Sequence, residues 1–273
     1  MRAFVFLALV LAASPVQWLG PKPPATITRV VTIAPSLTET VLALGAQDVL
    51  VGVSRFDEAP EVKSLPRVGG FVDPSIETVL TLKPHLVVVQ KSPGNQKPIE
   101  KLASLGVPVL ALPLTTLADA AEAMRVLGAV LKRDARAAEL ISELEAARAK
   151  QRSLAPKGAA PAVLFVYGFS PLVVAGPGSF ADELLRDCGV QNVATRAATA
   201  YPVWSREQLV ATPPQVVVDA SDTADGRDAV KALTPKSRWV ALDNKDLLHP
   251  GPALALALGP LCASVRAAPQ APP

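Results

Sequence analysis

The sequence is poor in the residues that most often carry catalysis or bind metals. Among its 273 residues there are two histidines and two cysteines. Only 4% are aromatic although half are apolar, so leucine, valine and alanine must form most of the core. No phosphate-binding loop or dinucleotide fingerprint occurs, and 168–172 lacks the final glycine of a nucleophile elbow. These absences argue against an enzyme, and we assign no catalytic residue and no metal ligand.

Concentrated charge is also absent. The formal net charge is +3, and lysine and arginine are scattered among aspartate and glutamate rather than gathered in a run. We therefore expect no nucleic-acid partner. Beyond the N-terminal segment, no apolar run is long enough to form a transmembrane helix.

The N-terminal segment is typical of a secretory signal peptide. A positive start, Met1-Arg2, precedes an apolar stretch at 3–13, which is too short to span a bilayer. We assign 1–20 approximately to the leader, with cleavage between Ala13 and Pro24. A retained membrane anchor is the alternative, but no nearby cysteine could carry a lipoprotein anchor. The sequence thus predicts an exported, periplasmic protein.

The two cysteines, Cys188 and Cys262, lie in the C-terminal half. An isolated pair in an oxidising compartment is typical of one disulfide. A catalytic thiol or a metal pair is the weaker alternative, because neither cysteine has a nearby histidine or a Cys-x-x-Cys partner.

The N-terminal half alternates between strand and helix patterns. The β-branched run 29–33 precedes a turn and a predicted helix at 37–44, which Gly45 closes. Further apolar runs and one more helical segment follow, at 49–53, 86–89, 107–112 and 98–105. This alternation predicts a mostly parallel sheet covered by helices, and we assign 26–132 to an N-terminal α/β lobe.

A long helix is predicted in mid-chain. From Asp134 apolar residues recur at helical spacing, and no glycine or proline interrupts the segment before Pro156. We assign 133–155 to a linking helix. A second strand series begins near Ala162, so 160–267 is predicted to form a C-terminal α/β lobe, followed by a flexible tail at 268–273.

One segment occurs twice. Ser75-Ile76-Glu77 leads to Pro84 and an apolar strand pattern, and Ser205-Arg206-Glu207 leads to Pro214 and a similar pattern, with a constant offset of 130 residues. The two lobes are therefore predicted to be homologous. Each glutamate falls in the first turn of a predicted helix, where the helix dipole favours a carboxylate.

The few aromatic residues cluster in predicted loops. Outside the signal region, six follow strands or precede helices, where an open α/β sheet forms its binding crevice: Phe56, Phe71, Tyr167, Phe169, Tyr201 and Trp204. Flat apolar walls suit a large planar ligand. We expect about half of these residues to anchor loops on the core instead.

Five segments resemble the periplasmic cobalamin-binding proteins of ABC importers. They are Arg29–Glu39, Val51–Ser54, Leu82–Val87, Leu102–Val107 and Ser205–Gln208. The resemblance spans about Arg29 to Val265. It implies an α/β protein of two Rossmann-like lobes with parallel sheets, joined by one long rigid helix, as in class III periplasmic binding proteins. It also implies a monomer that captures cobalamin or a related corrinoid as its ligand, without a cofactor, and delivers it to a permease dimer with ATPase subunits.

The resemblance assigns roles to individual residues. It implies that Cys188 and Cys262 form a disulfide and that Glu77 and Glu207 dock onto permease arginines, one from each lobe. The positions that match ligand contacts of the family are Phe56, Phe71 and Tyr201, which remain aromatic, and Gln90 and His249, which do not match the family residue. Val173 and Lys245 depart from the family pattern as well.

Two other functions stay open. Several polar ligand contacts of the family are not kept in this sequence, whereas Tyr167 and His249 are present. Haem or a ferric siderophore is therefore the alternative ligand of the same fold. A secreted α/β enzyme is a weaker alternative, since the fold hosts many chemistries. A sensory or scaffold module without transport is a third.

Overall fold

A computed structural model of the chain describes residues 16–221, 223–242 and 247–267. The apolar segment of the predicted leader, Lys245 and the predicted tail at 268–273 lie outside the described residues. Within these ranges the chain forms an α/β fold with two separate sheets, one in each half. The predicted fold class is therefore confirmed.

The first sheet is five-stranded, in the order β1-β5-β4-β2-β3. Its strands are β1 Gln17–Leu19, β2 Val30–Thr32, β3 Leu50–Gly52, β4 Leu86–Gln90 and β5 Val109–Leu112. Strands β2 to β5 are parallel, and the wholly apolar stretch at 86–89 is fully buried because helices cover both faces of the sheet. The helices of this half are α1 Pro35–Ala43, α2 Ile76–Thr81, α3 Gln96–Ser104 and α4 Leu117–Leu131.

Strand β1 was not predicted. It lies within the range 1–20 that we assigned to the leader, and it pairs antiparallel with β5, with Leu19 opposite Val109. Gly20 follows it with a φ of +77°, and a Cβ atom there would lie 2.4 Å from the Val107 carbonyl oxygen. Cleavage at residue 20 would remove this edge strand.

The second sheet has the order β10-β9-β6-β7, and β8 pairs with β6 beside this path. The strands are β6 Ala162–Phe169, β7 Leu172–Val174, β8 Gln191–Asn192, β9 Val216–Asp219 and β10 Arg238–Ala241. All pairings are parallel except that of β7 with β6, a hairpin that turns at Ser170 and Pro171. The helices are α6 Phe180–Asp187, α7 Arg206–Ala211, α8 Arg227–Leu233 and α9 Leu254–Arg266.

The linking helix α5 runs from Asp134 to Ser153 and packs against both halves. Near its start, Arg136 donates a hydrogen bond to the Ala43 carbonyl of α1 at 3.2 Å. Near its end, Arg266 of α9 donates to the carbonyl of Gln151 at 2.7 Å. Because each lobe is hydrogen-bonded to its own end of α5, this helix is a rigid connection between the two lobes.

Helix α4, which packs against α5, was missed from the sequence. It begins with a capping box in which Thr116 and Asp119 each accept a hydrogen bond from the other's backbone N–H. At Gly128 an added Cβ would lie only 2.5 Å from that of Ala137, so the two helices approach too closely there for a larger residue. The capping pattern and the helical spacing of Leu117, Met124 and Leu131 were the available signals.

The predicted disulfide is present. Cys188, at the end of α6, is bonded to Cys262 of α9, 74 residues later. Closing a loop of that length stabilises the fold by about 4 kcal/mol in the chain-entropy account.

Across the described ranges, each helix is either too short or too polar to cross a lipid bilayer.

Candidate functional site

The segments that follow the strands of the two sheets meet each other at the boundary between the two halves. Phe180, after β7, donates its backbone N–H to the Thr115 carbonyl after β5 at 2.7 Å. His249, between β10 and α9, places Nε2 3.3 Å from Oε1 of Glu39 in α1. Carboxyl ends of parallel strands are where open α/β sheets bind ligands, so this boundary is the candidate site.

Phe56 lies on the N-terminal side of the cleft in the loop after β3. Its side chain is 55% exposed, an unusual state for so large an apolar group in a protein with few aromatic residues. The backbone N–H of Phe56 donates to Ser54 Oγ at 3.2 Å, and the Arg55 guanidinium lies 5.1 Å from the ring centroid. The ring is thus held at the surface rather than folded into the core.

Two more predicted contacts lie in the same lobe. Phe71 is half-buried and packs on the core that includes Val68 and Val79. Gln90 ends β4 and is half-buried, and its backbone carbonyl accepts a hydrogen bond from Asn95 Nδ2 at 2.6 Å. Both residues therefore sit at or beside the carboxyl edge of the first sheet.

Tyr167 and Tyr201 form the aromatic side of the C-terminal lobe. Their rings meet edge to face with centroids 5.5 Å apart, and Tyr167 also contacts Phe165 and Phe180. Tyr201 is 39% exposed. Burial, and then the nearby Asp119 carboxylate, raise the pKa of Tyr201 to about 12.

The Tyr167 hydroxyl is buried and has no hydrogen-bond partner in the described part of the chain. Burial raises the pKa of this phenol well above its ordinary value. An unpaired buried hydroxyl destabilises the folded protein.

Two polar side chains lie where α1 meets the loop before α9. Oε2 of Glu39 and Oγ of Ser36 are buried without a partner among the described residues. A Cβ atom on Gly251 would lie 3.1 Å from that Glu39 oxygen, so the opposing backbone comes very close. Sequence reasoning missed Ser36 and Glu39 as site residues because their neighbours, His249 and Gly251, are distant in the sequence.

A buried carboxyl group supports the loop that carries Phe56. Asp57 is 5% exposed, and desolvation by burial raises its pKa, while hydrogen bonds with the Thr38 and Ser54 hydroxyls oppose that shift. Thr38 Oγ1 also lies 2.6 Å from Thr32 Oγ1 at the end of β2. The loop is therefore tied to the carboxyl edge of the sheet.

Two of the six clustered aromatic residues are core residues. Phe169 is 5% exposed and Trp204 is 8% exposed, and both belong to the apolar core on one face of the second sheet. Phe169 stacks on Trp239 with centroids 5.8 Å apart. The ligand contacts predicted at Phe56, Phe71, Tyr167 and Tyr201 stay predictions.

The repeated glutamates occupy equivalent, exposed positions. Glu77 is the second residue of α2 and Glu207 the second residue of α7, and each helix is capped by the preceding serine. A hydrogen bond from Ser205 lowers the pKa of Glu207. Both carboxylates are available to a partner of opposite charge.

The repeat also relates two of the aromatic residues. Phe71 and Tyr201 are 130 residues apart (201 − 71), the same offset as the two glutamates. Each aromatic residue precedes its serine cap by four positions. This offset was a sequence signal that could have placed them at equivalent positions in the two lobes.

A cavity of about 470 Å³ opens where β4 and β5 end, beside strand β1. Gln17 and Leu19 of β1 line it together with Lys91 and Gln96, and none of the predicted ligand contacts does. Among the described residues, no group of three or more His, Cys, Asp or Glu side chains could hold a metal ion.

Comparison with known proteins agrees with this architecture. The periplasmic binding protein family matches residues 30–243. The vitamin B12-binding protein of Salmonella typhi is 31% identical over 229 residues, covering 82% of this chain and 82% of its own.

Solved structures are similar over most of their length. A periplasmic heme binding protein from Pseudomonas aeruginosa gives a TM-score of 0.78 at 29% identity, covering 89% of this chain and 94% of its own. The periplasmic vitamin B12 binding protein BtuF of Vibrio cholerae gives 0.73 at 25% identity, covering 89% and 98%.

The chain belongs to the periplasmic binding protein family. Within that family its two lobes on a single linking helix give it the class III fold.

Proposed function

We propose that this protein captures cobalamin or a related corrinoid in the cleft between its lobes and delivers it to an ABC importer. The observation that carries the proposal is one exposed aromatic side chain in each lobe, Phe56 and Tyr201, in a chain that is 31% identical to a vitamin B12-binding protein over 82% of its length. Exposed flat rings on two lobes suit a large planar macrocycle that binds between them.

Haem is the second candidate ligand. It is favoured by the similarity to the heme binding protein of Pseudomonas aeruginosa at a TM-score of 0.78. Haem iron is commonly held by an axial histidine or tyrosine. The histidine of the predicted site, His249, has Nε2 3.3 Å from Oε1 of Glu39, which leaves Nδ1 as the nitrogen able to bind iron.

The two phenols of the predicted site argue for a corrinoid over haem. A tyrosine ligates iron best as its phenolate, and burial raises the pKa values of both Tyr167 and Tyr201 in the metal-free protein. Forming a phenolate at either position before iron binds is thus harder than in water. A corrinoid, whose cobalt does not require a protein ligand, fits this donor set better than haem.

The ligand is tested by titrating the purified mature protein with cyanocobalamin and, separately, with haemin. Calorimetry gives the affinity, and absorbance spectra report whether a protein group binds the metal. We expect cobalamin to bind tightly with little spectral change and haemin to bind more weakly. Tight haemin binding with a shifted Soret band and no cobalamin heat would reverse the ranking.

For delivery, we propose that Glu77 and Glu207 dock onto arginines of a permease dimer that works with ATPase subunits. The support is the exposure of both carboxylates at equivalent helix starts, one in each lobe. A two-fold permease presents the same patch twice, so a two-lobed partner that meets it needs one equivalent charge per lobe.

We further propose that the protein works as a monomer in the periplasm, after removal of an N-terminal signal peptide before Gln17. The alternative of a secreted enzyme predicts turnover of a corrinoid or an ester that is lost when Ser170 is replaced. Ser170 is exposed at the turn between β6 and β7. Absence of turnover by pure protein is the expected result.

A further inference from the structure

Three side chains lie close to the side of Gly70 where another residue would carry its Cβ atom. A Cβ atom at this position would lie 2.8 Å from Asp73 Oδ1, 2.9 Å from Phe56 Cε2 and 3.0 Å from Arg55 Nη2. All three contacts are the far ends of side chains. Gly70 is therefore the point against which the ring of Phe56 and the ion pair beside it are packed.

Arg55 and Asp73 form that ion pair across two loops. Arg55 Nη2 donates to both carboxylate oxygens of Asp73, at 2.6 Å for Oδ2. The hydrogen bond from Arg55 lowers the pKa of Asp73, so the aspartate stays charged. The pair joins the loop that carries Phe56 to the loop that carries Phe71.

The guanidinium also meets the aromatic ring. The Cζ atom of Arg55 lies 5.1 Å from the centroid of Phe56, within the range of a cation–π contact. The backbone N–H of Arg55 donates to the Gly69 carbonyl at 2.9 Å, which fixes the origin of the side chain. Asp73 therefore orients Arg55, and Arg55 in turn orients Phe56.

We propose that Arg55, Gly70 and Asp73 form a clamp that sets the position of Phe56, so that they act on ligand affinity through the ring rather than by touching the ligand. This inference rests on the proposed function. It makes Gly70 and Asp73 positioning residues that determine how wide the aromatic cleft is on the N-terminal side.

The first test measures cyanocobalamin affinity by calorimetry for D73A and G70A. Both variants should fold, because the Arg55–Asp73 pair is exposed, and Gly70 does not need a positive φ. We expect each to weaken binding by about threefold to tenfold with the thermal midpoint nearly unchanged. Matched controls are E122A, which removes the exposed ion pair with Arg125, and G158A, where a Cβ meets nothing within 4 Å.

The second test asks whether the effect passes through the ring. F56A and the double variant F56A/D73A complete a thermodynamic cycle with the parent and D73A. If Asp73 acts through Phe56, D73A has no further effect once the ring is gone. An equal loss in both backgrounds would mean that Asp73 or Arg55 contacts the ligand directly, and it would overturn the proposal. Unchanged affinity in D73A and G70A would overturn it too.

Failure of the proposed function gives a different result. If the parent protein binds no cobalamin, the ligand assignment is wrong whatever the clamp does. The effect of the clamp on affinity is then measured by haemin titrations of the same four proteins: the parent, D73A, F56A and F56A/D73A. Additive effects of D73A and F56A on haemin affinity would reject it there as well.

Discussion

Nε of Arg148 in the linking helix donates a hydrogen bond to Oδ2 of Asp187 in α6 at 2.7 Å. The arginine side chain is 16% exposed and the carboxylate 4% exposed, so the pair is almost completely withdrawn from water. Arg152 donates to the other oxygen of the same carboxylate at 3.0 Å. This network fixes the C-terminal end of α5 to the C-terminal lobe.

The first prediction concerns that pair. R148A should lower the free energy of unfolding by about 3 kcal/mol, because it leaves Asp187 buried with one partner lost. R125A, which breaks an exposed pair with Glu122, should cost less than about 1 kcal/mol. Urea unfolding followed by circular dichroism measures both. Equal losses in the two variants would contradict the role of burial.

The second prediction concerns pH. Burial raises the pKa of Asp57 in the folded protein above that of an unfolded aspartate, about 3.9. Between those two values the folded state holds a proton that the unfolded state has released, so this group's contribution to stability falls as pH rises. The loss is about 1.4 kcal/mol for each unit of pKa difference.

D57N tests this dependence. Asparagine keeps the shape of the side chain and a carbonyl acceptor but does not titrate, so the variant should lack the Asp57 contribution to the slope. We expect its free energy of unfolding at pH 7 to equal or exceed that of the parent. Measuring unfolding at intervals from pH 4 to 7 compares the slopes, and identical slopes would show that Asp57 keeps an ordinary pKa.

The third prediction separates docking from ligand binding. The double charge reversal E77K/E207K should leave cobalamin affinity nearly unchanged and abolish uptake by cells that depend on this importer. Glu139 on α5 is also exposed, so E139K is the matched reversal, and it should transport normally. Calorimetry and uptake assays measure the two properties. A loss of affinity in the double variant would place the glutamates at the ligand instead.

The fourth prediction concerns the unpaired hydroxyl of Tyr167. Y167F removes a buried group that lacks a partner in the described residues, so the unliganded protein should gain about 1 kcal/mol of stability. If the ligand pairs with this hydroxyl, the same change lowers ligand affinity. Thermal unfolding with and without cobalamin measures both. A loss of stability without ligand would indicate a bound water at the hydroxyl.

Much of the fold could be predicted from local pattern. The apolar run at 86–89 became the buried centre of β4, and the unbroken helical spacing from Asp134 became α5. The edge strand β1 was missed because its residues fall within the range assigned to the leader, and the short hairpin strand β7 was missed as well. The partner of β1 is β5, about 90 residues later, and such a pairing leaves no periodic signal in the sequence.

The candidate site was predictable only in part. Phe56 and Tyr201 stood out because aromatic residues are rare here and both fall near glycine, proline or serine. Phe169 and Trp204 fit the same description but are core residues. Composition and loop placement do not show which way a side chain points, and that direction depends on the packing beneath it.

The sequence by itself determined the α/β alternation, the internal repeat with its paired glutamates, and the disulfide, because these depend on residue type and spacing along the chain. Only the tertiary structure decided that Phe56 and Arg55 pack against Gly70, that Glu39 contacts His249, and that Asp57 is buried. Those contacts join residues of different loops or lobes. They exist because close packing brings segments together whose separation along the chain carries no periodic signal.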